Sequence, residues 1–513
     1  MPGTDAGSLA FDDSFDVIVV GGGGSGLAAA IEARTMGRRV VLLEKNPRLG
    51  GSTAWSVGSI SATNTRHQLR KGILDNADDH FEDLGLFCER TGLPDNLKLR
   101  RILIDNVTDT FRWLESMGVV FHGPLLQPPH RKPRMHNVLP NSRAYIHHLG
   151  RRARRIGVEI RTSHRVTELL RIDGRVAGVR IEHEGQSRTI AARGGVILAS
   201  GDFAGSAAMR AENLPTRVAH ARPINPTNTG DGHRLVESIG GRVLNRQHHL
   251  AGVRFDPPPV KWVLNIPPWR VLTRFISWSL DHMPQRLLRP FVMSFLTTVL
   301  QSSPELYKQG AILINREGRR FNDELGEPTR DLAEQPDGAA FILLDGRLAR
   351  QFSEPPYHLS TAPGIAYGYI PDYRRSRRDI FHEASSLRAL AQRIGVDADA
   401  LEATIAGYNR NDAPVAGASE RGARPVLDGG PWVALGPVRH YITFSDSGVA
   451  VNERHQVLGS DDQAIDGLYA VGFIGMGGML LEGLGHHLGW AFTSGRRAGR
   501  FAASRVVSAD VRD

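Results

Sequence analysis

The chain has 513 residues, of which 41% are hydrophobic and 23% are charged, so its composition is that of an ordinary folded protein. The length is too great for one simple core and predicts two domains. The net charge is +9, but no recognised nucleic-acid motif accompanies it, so we expect no nucleic-acid partner. Cys88 is the only cysteine, which excludes an intramolecular disulfide, a CxxC redox pair and a metal–thiolate centre. The N-terminus, MPGTDAGSLAFDDSFD, has no apolar signal core, and we expect a cytoplasmic protein.

The first motif occupies residues 16–45, DVIVVGGGGSGLAAAIEARTMGRRVVLLEK. It predicts a buried strand, a glycine-rich turn, an Ala-rich helix and a second strand that ends on Glu44. Gly21, Gly23 and Gly26 have the G-x-G-x-x-G spacing. Such glycines let a pyrophosphate approach the amides at a helix N-terminus, and the carboxylate accepts hydrogen bonds from a ribose. The motif therefore predicts an adenine-dinucleotide site.

The next segment indicates which dinucleotide binds. Residues 48–61, RLGGSTAWSVGSIS, contain another glycine pair and several hydroxyl groups, where an NAD enzyme usually continues its sheet. Small residues and hydroxyls suit a chain that passes close to a large flat ring system and its ribityl diphosphate. The segment therefore favours FAD.

These residues resemble the flavoprotein family of soluble fumarate reductases, succinate dehydrogenase flavoprotein subunits and 3-ketosteroid dehydrogenases, which carries GG-x-[ST]-x-x-S-x-G at this place. Members with covalent FAD have a histidine about where Ser52 stands, so the resemblance implies non-covalent FAD. It covers nearly the whole chain except residues 257–303. The cofactor-binding residues predicted from the motifs and the resemblance are Gly21, Gly23, Gly24, Ser25, Gly26, Glu44, Lys45, Gly51, Ser52, Thr53, Ser56, Gly58, Val166, Ala199, Ser200, Gly201, Gly230, Asp231, Gly472 and Leu488.

The resemblance also implies the fold class. We expect an α/β protein with a Rossmann-like FAD-binding domain, in which a parallel sheet forms the middle of three layers, and an inserted α+β capping domain for the substrate. The predicted boundaries are residues 1–253 and 437–513 for the two parts of the FAD-binding domain and residues 254–436 for the capping domain.

The dicarboxylate-binding residues of fumarate reductases are largely missing here. Where those relatives read HHTMGG, this chain has TFSDSG at residues 443–448, and where they read GANRLGG, it has LLEGLG at residues 480–485. Glu482 stands in the place of an arginine and would repel a carboxylate. This argues against fumarate or succinate as the substrate.

The resemblance to 3-ketosteroid dehydrogenases implies a different way to hold the substrate. Those enzymes polarise a carbonyl group with a tyrosine hydroxyl and a glycine amide; Gly485 matches the glycine, but the tyrosine is absent. Glu482, His486 and His487 are the local polar substitutes, and we predict that they are catalytic or bind the substrate.

Two further candidates come from the fumarate reductase pattern. The loop at residues 123–145 matches the place of a substrate-facing histidine, for which His130 with Arg131, or His136, is a candidate, and we select His136. Thr329-Arg330-Asp331 matches a TRD motif whose arginine delivers a proton, although two extra residues precede it; we predict a catalytic role for Arg330. No metal-ligand motif is apparent, and we expect no metal centre.

Residues 257–303 interleave prolines, tryptophans and cations with large apolar residues. No run reaches the roughly 20 apolar residues of a spanning helix. The pattern fits a membrane-interface segment or a lipid-facing entrance, a buried lid or dimer contact, or an unusual core. We expect peripheral membrane contact as one possibility among these three.

The expected function is an FAD-dependent dehydrogenase that desaturates an apolar, cyclic or steroid-like ketone next to its carbonyl group, with an external electron acceptor. Hydride transfer to flavin N5 and proton removal by a protein base would form the C=C bond. The first alternative is an enone or unsaturated-acid reductase. A second, of another class, is a membrane-docked flavin electron-transfer subunit, and a flavin monooxygenase is disfavoured because no second nucleotide motif is present.

Overall fold

A computed structural model of the chain describes residues 10–257, 265–284, 287–289, 293, 301–326, 331–362, 366–412 and 422–506. In chain order, the strands are β1 Asp13–Val20, β2 Val40–Glu44, β3 Ser59–Ser61, β4 Val120–Leu125, β5 Met135–Leu139, β6 Glu159–Thr162, β7 Arg165–Ile172, β8 Arg175–His183, β9 Gln186–Leu198, β10 Arg222–Pro223, β11 Val243–Leu244, β12 His249–Phe255, β13 Gln301–Ser302, β14 Ile312–Asn315, β15 Ala340–Leu344, β16 Ser360–Ala362, β17 Ala366–Gly368, β18 Phe381–Ala384, β19 Trp432–Ser445, β20 Gly448–Val449, β21 Gln456–Leu458 and β22 Ala464–Ala470.

The α-helices of the described residues are α1 Gly24–Thr35, α2 Gly51–Trp55, α3 Arg66–Arg70, α4 Ala77–Cys88, α5 Leu97–Ser116, α6 Arg143–Arg155, α7 Ala207–Asn213, α8 Thr216–Ala219, α9 Asp231–Glu237, α10 Arg270–His282, α11 Pro304–Lys308, α12 Gly346–Gln351, α13 Ile370–Ser376, α14 Leu387–Ile394, α15 Ala398–Arg410 and α16 His486–Ser504.

The first sheet has eight strands and is built around β1, whose apolar, β-branched end is buried on both faces. β1 pairs in parallel with β2 on one side and with β9 on the other. β6 continues the parallel arrangement beyond β2, and β22 continues it beyond β9. The predicted α/β fold with a parallel sheet in the FAD-binding region is confirmed.

The Ala-rich helix α1 packs against the closing helix α16, and glycines make this contact very close. A Cβ atom at Gly495 would lie 2.3 Å from the carbonyl oxygen of Ser25, and one at Gly499 would lie 2.3 Å from that of Ala29. The last helix of the chain is therefore held directly against the first one. This brings residue 486, where α16 begins, to the end of the sheet at which α1 also begins.

Strands β7, β8 and β9 form an antiparallel extension of the first sheet. Asp173 and Gly174 form the turn between β7 and β8, with φ angles of +49° and +77°. β9 runs from Gln186 to Leu198 as one long strand. Its pairing with β1 is parallel throughout, and the register shifts at a bulge between Ala192 and Gly195.

The second sheet has six strands, and the long strand β19 lies at its centre. β19 pairs with β10, β12, β15 and β18, and β14 pairs with β15. It has its own hydrophobic core, separate from that of the first sheet. The domain boundaries stay a prediction; β19 runs through residue 436, so the second sheet continues beyond the predicted end of the capping domain.

Helices α14 and α15 cover the second sheet, and a glycine separates them. Gly395 ends α14 in the left-handed conformation, with φ of +69°. The side chain of Asp397 caps α15 by accepting a hydrogen bond from the amide of Ala400 at 2.8 Å.

Part of the unusual segment at residues 257–303 is described, and it contains α10. This helix packs on β4 of a small sheet formed by β3, β5 and β4. Its other side is exposed. Among the described helices, none combines the length and the apolar character that crossing a membrane requires.

Candidate active site

One long cavity opens where the parallel strands β1, β2 and β9 end, which is the usual ligand site of open α/β sheets. It runs from the first glycine turn to residues of β12 and β19 in the second sheet. The predicted cofactor-binding residues on its wall are Gly21, Gly23, Gly24, Ser25, Glu44, Lys45, Gly51, Ser52, Thr53, Ser56, Gly58, Val166, Ala199, Ser200, Gly201, Asp231, Gly472 and Leu488. Gly26 and Gly230 lie behind the wall.

The glycine turn is tightly packed on the side that faces the protein interior and accessible on the side that faces the cavity. Gly21 has a φ of +112°, and the amide of Gly22 donates to Glu44 Oε2 at 2.7 Å. A Cβ atom at Gly26 would lie only 1.9 Å from the carbonyl oxygen of Gly21. At Gly23, by contrast, the nearest atoms to a Cβ would be 3.9 Å away. The N-terminus of α1 therefore faces an accessible backbone, as phosphate binding requires.

Charged groups beside the turn are already paired. Glu44 Oε1 accepts hydrogen bonds from the backbone and side-chain amides of Asn46 at 2.9 and 2.7 Å. Lys45 Nζ and Arg165 Nη2 lie 3.0 and 3.3 Å from the carboxylate of Asp231. Burial opposes the charged form of Asp231, but the two cations outweigh burial and lower its pKa. These contacts fix the carboxylates at the cavity wall.

Hydroxyl groups further along the wall differ in their partners. Ser52 Oγ accepts hydrogen bonds from the side-chain amides of Asn225 and Asn228 at 3.0 and 2.8 Å. Ser200 Oγ is buried and has no hydrogen-bond partner in the described part of the chain. A buried hydroxyl without a partner indicates that a ligand supplies one. Together with the open glycine turn, this end of the cavity fits FAD.

The other end of the cavity combines large apolar side chains with polar ones. Its wall comes from the loop between β4 and β5, from β12, β16 and β19, and from the turn before α16. The residues are Gln127, Leu250, Arg254, Thr361, Thr443, Phe444, Phe473, Leu481, Glu482, Gly483, Leu484, Gly485 and His487.

A chain of four polar side chains lies along this wall. Asp446 follows β19 and is buried; its Oδ1 accepts a hydrogen bond from His487 Nε2 at 3.0 Å. Its Oδ2 lies 3.2 Å from His248 Nδ1, and His248 Nε2 lies 3.6 Å from Glu482 Oε1. The two ends of this polar chain, His487 and Glu482, are on the cavity wall.

The contacts in the polar chain set its protonation. Burial alone would raise the pKa of Asp446, but His487 and His248 outweigh burial and lower it. Contact with Asp446 raises the pKa of His248 despite partial burial. Burial, followed by the like charge of Asp446, raises the pKa of Glu482. Asp446 therefore stays ionised, while Glu482 takes up a proton at a higher pH than a free carboxyl group does.

Arg254 is a polar residue of the wall that the sequence analysis did not select. Its Nη2 donates to Thr443 Oγ1 at 2.9 Å, while its Nε is buried without a partner, and no carboxylate of the described residues forms an ion pair with it. Burial lowers the pKa of Arg254. Strand alternation places Leu250 and Arg254 on one face of β12. The alternation of these two residues is visible in the sequence, but the sequence does not show that β12 borders the cavity.

Two predicted catalytic residues of the described part of the chain, His136 and His486, are not on the wall. His136 is fully buried in β5, where its Nε2 lies 3.0 Å from Thr65 Oγ1. His486 is buried behind the wall, next to His80. Arg330 lies outside the described residues. The structure brings Glu482, Gly485 and His487 to the cavity, and their catalytic roles stay predictions.

Comparison with known families places the chain. A family described as FAD binding domain matches residues 16–259 and 284–480. The NADH:fumarate oxidoreductase of Klebsiella pneumoniae (strain 342) is 26% identical over 492 residues, covering 91% of this chain but 45% of that protein. The fumarate reductase (cytochrome) of Shewanella frigidimarina is 26% identical over 509 residues, covering 96% of this chain and 77% of that protein.

Solved structures show the same fold. The open conformation of a flavocytochrome c3 fumarate reductase matches with a TM-score of 0.73 at 23% identity, covering 98% of this chain and 80% of that one. The 3-ketosteroid-Δ4-(5α)-dehydrogenase of Rhodococcus jostii RHA1 matches with a TM-score of 0.60 at 22% identity, covering 97% and 98%.

The chain is therefore an FAD-dependent oxidoreductase of the class that acts on CH–CH groups. It belongs to the FAD-binding-domain family, whose fumarate reductase and succinate dehydrogenase flavoproteins the sequence resembled, and its cofactor is FAD.

Proposed function

We propose that the protein is an FAD-dependent dehydrogenase that introduces a C=C bond next to the carbonyl group of an apolar, cyclic or steroid-like ketone. The supporting observation is the composition of the substrate end. Leucine and phenylalanine side chains share this wall with one partly buried cation, Arg254, beside the hydroxyl of Thr443, and with a proton-accepting chain that ends in Glu482. FAD, bound without a covalent link, supplies the hydride acceptor.

Arg254 and Thr443 bind the substrate carbonyl oxygen. Thr443 Oγ1 accepts a hydrogen bond from Arg254, so its own proton is available to the substrate. Positive charge at the oxygen stabilises the negative charge that develops there when the neighbouring carbon loses a proton. The amide of Gly485, at the start of α16, is a second donor for the same oxygen.

Glu482 accepts the proton from that carbon. Its raised pKa makes it a better base than an ordinary carboxylate. His248 Nε2 lies 3.6 Å from Glu482 Oε1 and takes the proton onward, and the ionised Asp446 stabilises the imidazolium that results. His487 binds the other oxygen of Asp446 and holds it in place.

Anaerobic mixing with a panel of cyclic ketones tests this proposal. At least one ketone should bleach the enzyme-bound flavin, and Glu482→Gln should slow the bleaching while the flavin content stays unchanged. Flavin released by heat or acid would support the non-covalent link. An enzyme that no ketone reduces, at any pH, would contradict the dehydrogenase proposal.

A second candidate is a reductase of enones or unsaturated acids, and Arg254 is the observation that favours it. An arginine without an ionic partner in the described part of the chain suits a substrate carboxylate, which weakens the earlier argument from Glu482. The fumarate reductases among the relatives act in this direction, and Arg330 would then be the candidate proton donor. Reoxidation of dithionite-reduced enzyme by an unsaturated acid, without bleaching by ketones, would favour this candidate.

We further propose that α10 rests on an anionic membrane surface on the cytoplasmic side. The side chains of Val271, Phe275 and Trp278 form a helical row and are between 52% and 84% exposed, and Trp269, just before the helix, is 65% exposed. Arg270 on the same helix is also exposed. Aromatic residues beside arginines are typical of helices at lipid headgroups.

Cofactor-loaded protein and vesicles test the membrane proposal. Co-sedimentation is expected with vesicles that contain phosphatidylserine and not with pure phosphatidylcholine, and the double variant Phe275→Ser/Trp278→Ser should lose it. Leu74→Ser, which changes an exposed leucine elsewhere, should not. Equal sedimentation of both variants would contradict the proposal. If wild type instead forms a stable dimer or binds a partner chain, and the double variant does not, then α10 is a lid, a subunit contact or an electron-transfer docking face and not a membrane contact. Whether or not α10 contacts a membrane, turnover needs an external electron acceptor.

A further inference from the structure

Three buried histidines meet behind the substrate wall. His80 comes from α4, His130 from the loop between β4 and β5, and His486 is the first residue of α16. They are 0%, 3% and 1% exposed. The centres of their rings form a nearly equilateral triangle with sides of 5.3, 5.4 and 5.3 Å. Neither the cavity wall nor the proposed catalytic chain uses them.

The triangle has the dimensions of a three-histidine metal centre. One ring nitrogen of each residue lies within 4.8 Å of the other two, and His80 Nε2 is 3.1 Å from His486 Nε2. Imidazole nitrogens at about 2.0 to 2.1 Å from a tetrahedral ion are about 3.4 Å apart, and their ring centres are about 5.2 Å apart. The three ring-centre separations and the distance between His80 Nε2 and His486 Nε2 are within a few tenths of an ångström of these values.

Of the three outer nitrogens, that of His486 already has the partner that a histidine ligand needs. His486 Nδ1 donates to the carbonyl oxygen of Glu482 at 2.8 Å, which leaves the lone pair of Nε2 directed away from that bond. His130 Nδ1 lies 3.8 Å from Asp83 Oδ2 and 2.9 Å from Arg134 Nη1. His130 Nε2 and His80 Nδ1 are buried and have no hydrogen-bond partner in the described part of the chain. Such unpaired buried nitrogens require an explanation.

Charge at the centre is compatible with a cation. Arg134 Nε and Nη2 each donate to Asp75 at 2.8 Å, and Asp83 pairs with both Arg134 and Arg131, so two carboxylates balance two guanidinium groups. Without an ion, Arg134 donates to His130 Nδ1, and Nε2 carries the ring proton. Metal binding would move that proton to Nδ1 and free the lone pair of Nε2; Arg134 would then give up its hydrogen bond to Nδ1, and Nδ1 would turn to the carboxylate of Asp83, which lies 3.8 Å away.

We propose that His80, His130 and His486 bind one divalent transition-metal ion of the zinc class, the class that imidazole ligands suit. The ion ties α4 and the loop before β5 to the turn at residues 482–486. That turn carries Glu482 and Gly485, so the metal fixes the wall of the substrate cavity without contacting the substrate. No motif predicted this site, because its three ligands are separated by 50 and 356 positions in the printed sequence.

Metal binding by tag-free, FAD-loaded protein tests the proposal. After chelator treatment and desalting, wild type equilibrated with Zn²⁺ should retain about one zinc per chain by mass spectrometry of the metal, as one three-histidine site predicts. His80→Gln and His130→Gln should retain none at the same concentration, while His220→Gln, which changes an exposed histidine, should retain zinc like wild type.

X-ray absorption at the zinc edge of wild type provides a result that does not depend on the folding of any variant. It should show three nitrogen neighbours of imidazole type at about 2.0 to 2.1 Å. Chelator-treated wild type that retains no zinc, a zinc shell without imidazoles, or folded His80→Gln protein that retains zinc like wild type would each overturn the proposal.

Discussion

The two ends of the cavity are built in different ways. At the cofactor end, backbone amides, glycines and small hydroxyl residues form most of the wall. These residues come from short segments that each contain a recognisable sequence motif. At the substrate end, Arg254, Thr443, Asp446 and Glu482 come from strand and loop positions that no contiguous motif connects. The cofactor end therefore depends on chain geometry, whereas the substrate end depends on individual side chains.

This difference predicts how each end responds to substitution. A substitution that fills the space beside the backbone of the glycine turn should abolish FAD binding completely. A substitution of one side chain at the substrate end should slow the reaction and leave FAD bound. A single hydroxyl at the cofactor end should matter least. The four variants below test the comparison in that order.

Gly26→Val should have the largest effect. A Cβ atom at this position would lie 1.9 Å from the carbonyl oxygen of Gly21, and a backbone atom cannot move away as the end of a side chain does. The turn would open, and the purified protein should contain no flavin and take up none on reconstitution with FAD. Absorption of the flavin per mole of protein is the measurement.

Gly407→Ala is the matched control for the glycine variant. Gly407 lies in α15, and the nearest atom to a Cβ there is the end of a side chain, Asp412 Oδ2, at 3.6 Å. This variant should keep its flavin and should be slightly more stable, because alanine favours a helix. Full flavin occupancy in Gly26→Val would contradict the geometric account of the cofactor end.

Glu482→Gln should have the next largest effect. Removal of a general base typically costs about 10²- to 10⁴-fold in rate, so flavin reduction by the substrate should slow within that range. Burial and Asp446 raise the pKa of Glu482, and a base must be deprotonated to act. The wild-type rate should therefore rise with pH through a pKa above that of a free carboxyl group, and this rise should be absent in the variant.

The exposed Glu354→Gln serves as its control and should leave both the rate and its pH dependence unchanged. Stopped-flow measurement of flavin reduction over a pH series separates the two variants. If Glu482→Gln keeps the wild-type pH profile, another residue is the base, and His487 is then the remaining candidate of the wall.

The difference between backbone geometry and individual side chains also explains why the sequence predicted one end of the cavity better than the other. The turn at Gly21, the helix after it and the strand that ends on Glu44 were predictable, because they lie in one short stretch with a strict backbone requirement. Gly26 and Gly230 were predicted as cofactor contacts but lie behind the wall, since a spacing motif does not separate residues that touch a ligand from residues that support the turn.

The substrate end was predicted less well, for a physical reason. His248 and Asp446 lie 198 positions apart in the printed sequence and meet only because β12 and β19 pair in one sheet. His136 has the residue type of a substrate contact, but its place in β5 buries it against Thr65. Long-range strand pairing decides which side chains face the cavity, and residue type alone does not reveal it.

Arg254→Met should weaken the hold on the substrate oxygen and leave the flavin bound. A hydrogen bond to a charged group is worth about 1.5 to 3 kcal/mol, so kcat/KM should fall about 10- to 150-fold. The exposed Arg378→Met is the control and should be neutral. The decrease in kcat/KM caused by this variant should be larger for an unsaturated acid, which carries a carboxylate, than for a ketone. Equal decreases would mean that Arg254 does not contact the substrate.

Ser52→Ala should have the smallest effect, although Ser52 lies on the wall at the place of the covalent histidine in some relatives. Its hydroxyl accepts two hydrogen bonds, but both donors keep other partners: Asn228 Nδ2 donates to Asp202 Oδ1 at 2.8 Å, and Asn225 Nδ2 donates to Asn228 Oδ1 at 2.9 Å. Loss of one hydrogen-bonding group costs about 0.5 to 1.5 kcal/mol, so the Kd for FAD should rise by about 2- to 12-fold, with full occupancy at saturation. Fluorescence titration of the apoprotein with FAD measures this change. If Ser52→Ala loses FAD as completely as Gly26→Val, a single side chain controls the cofactor end as well, and the contrast between the two ends does not hold.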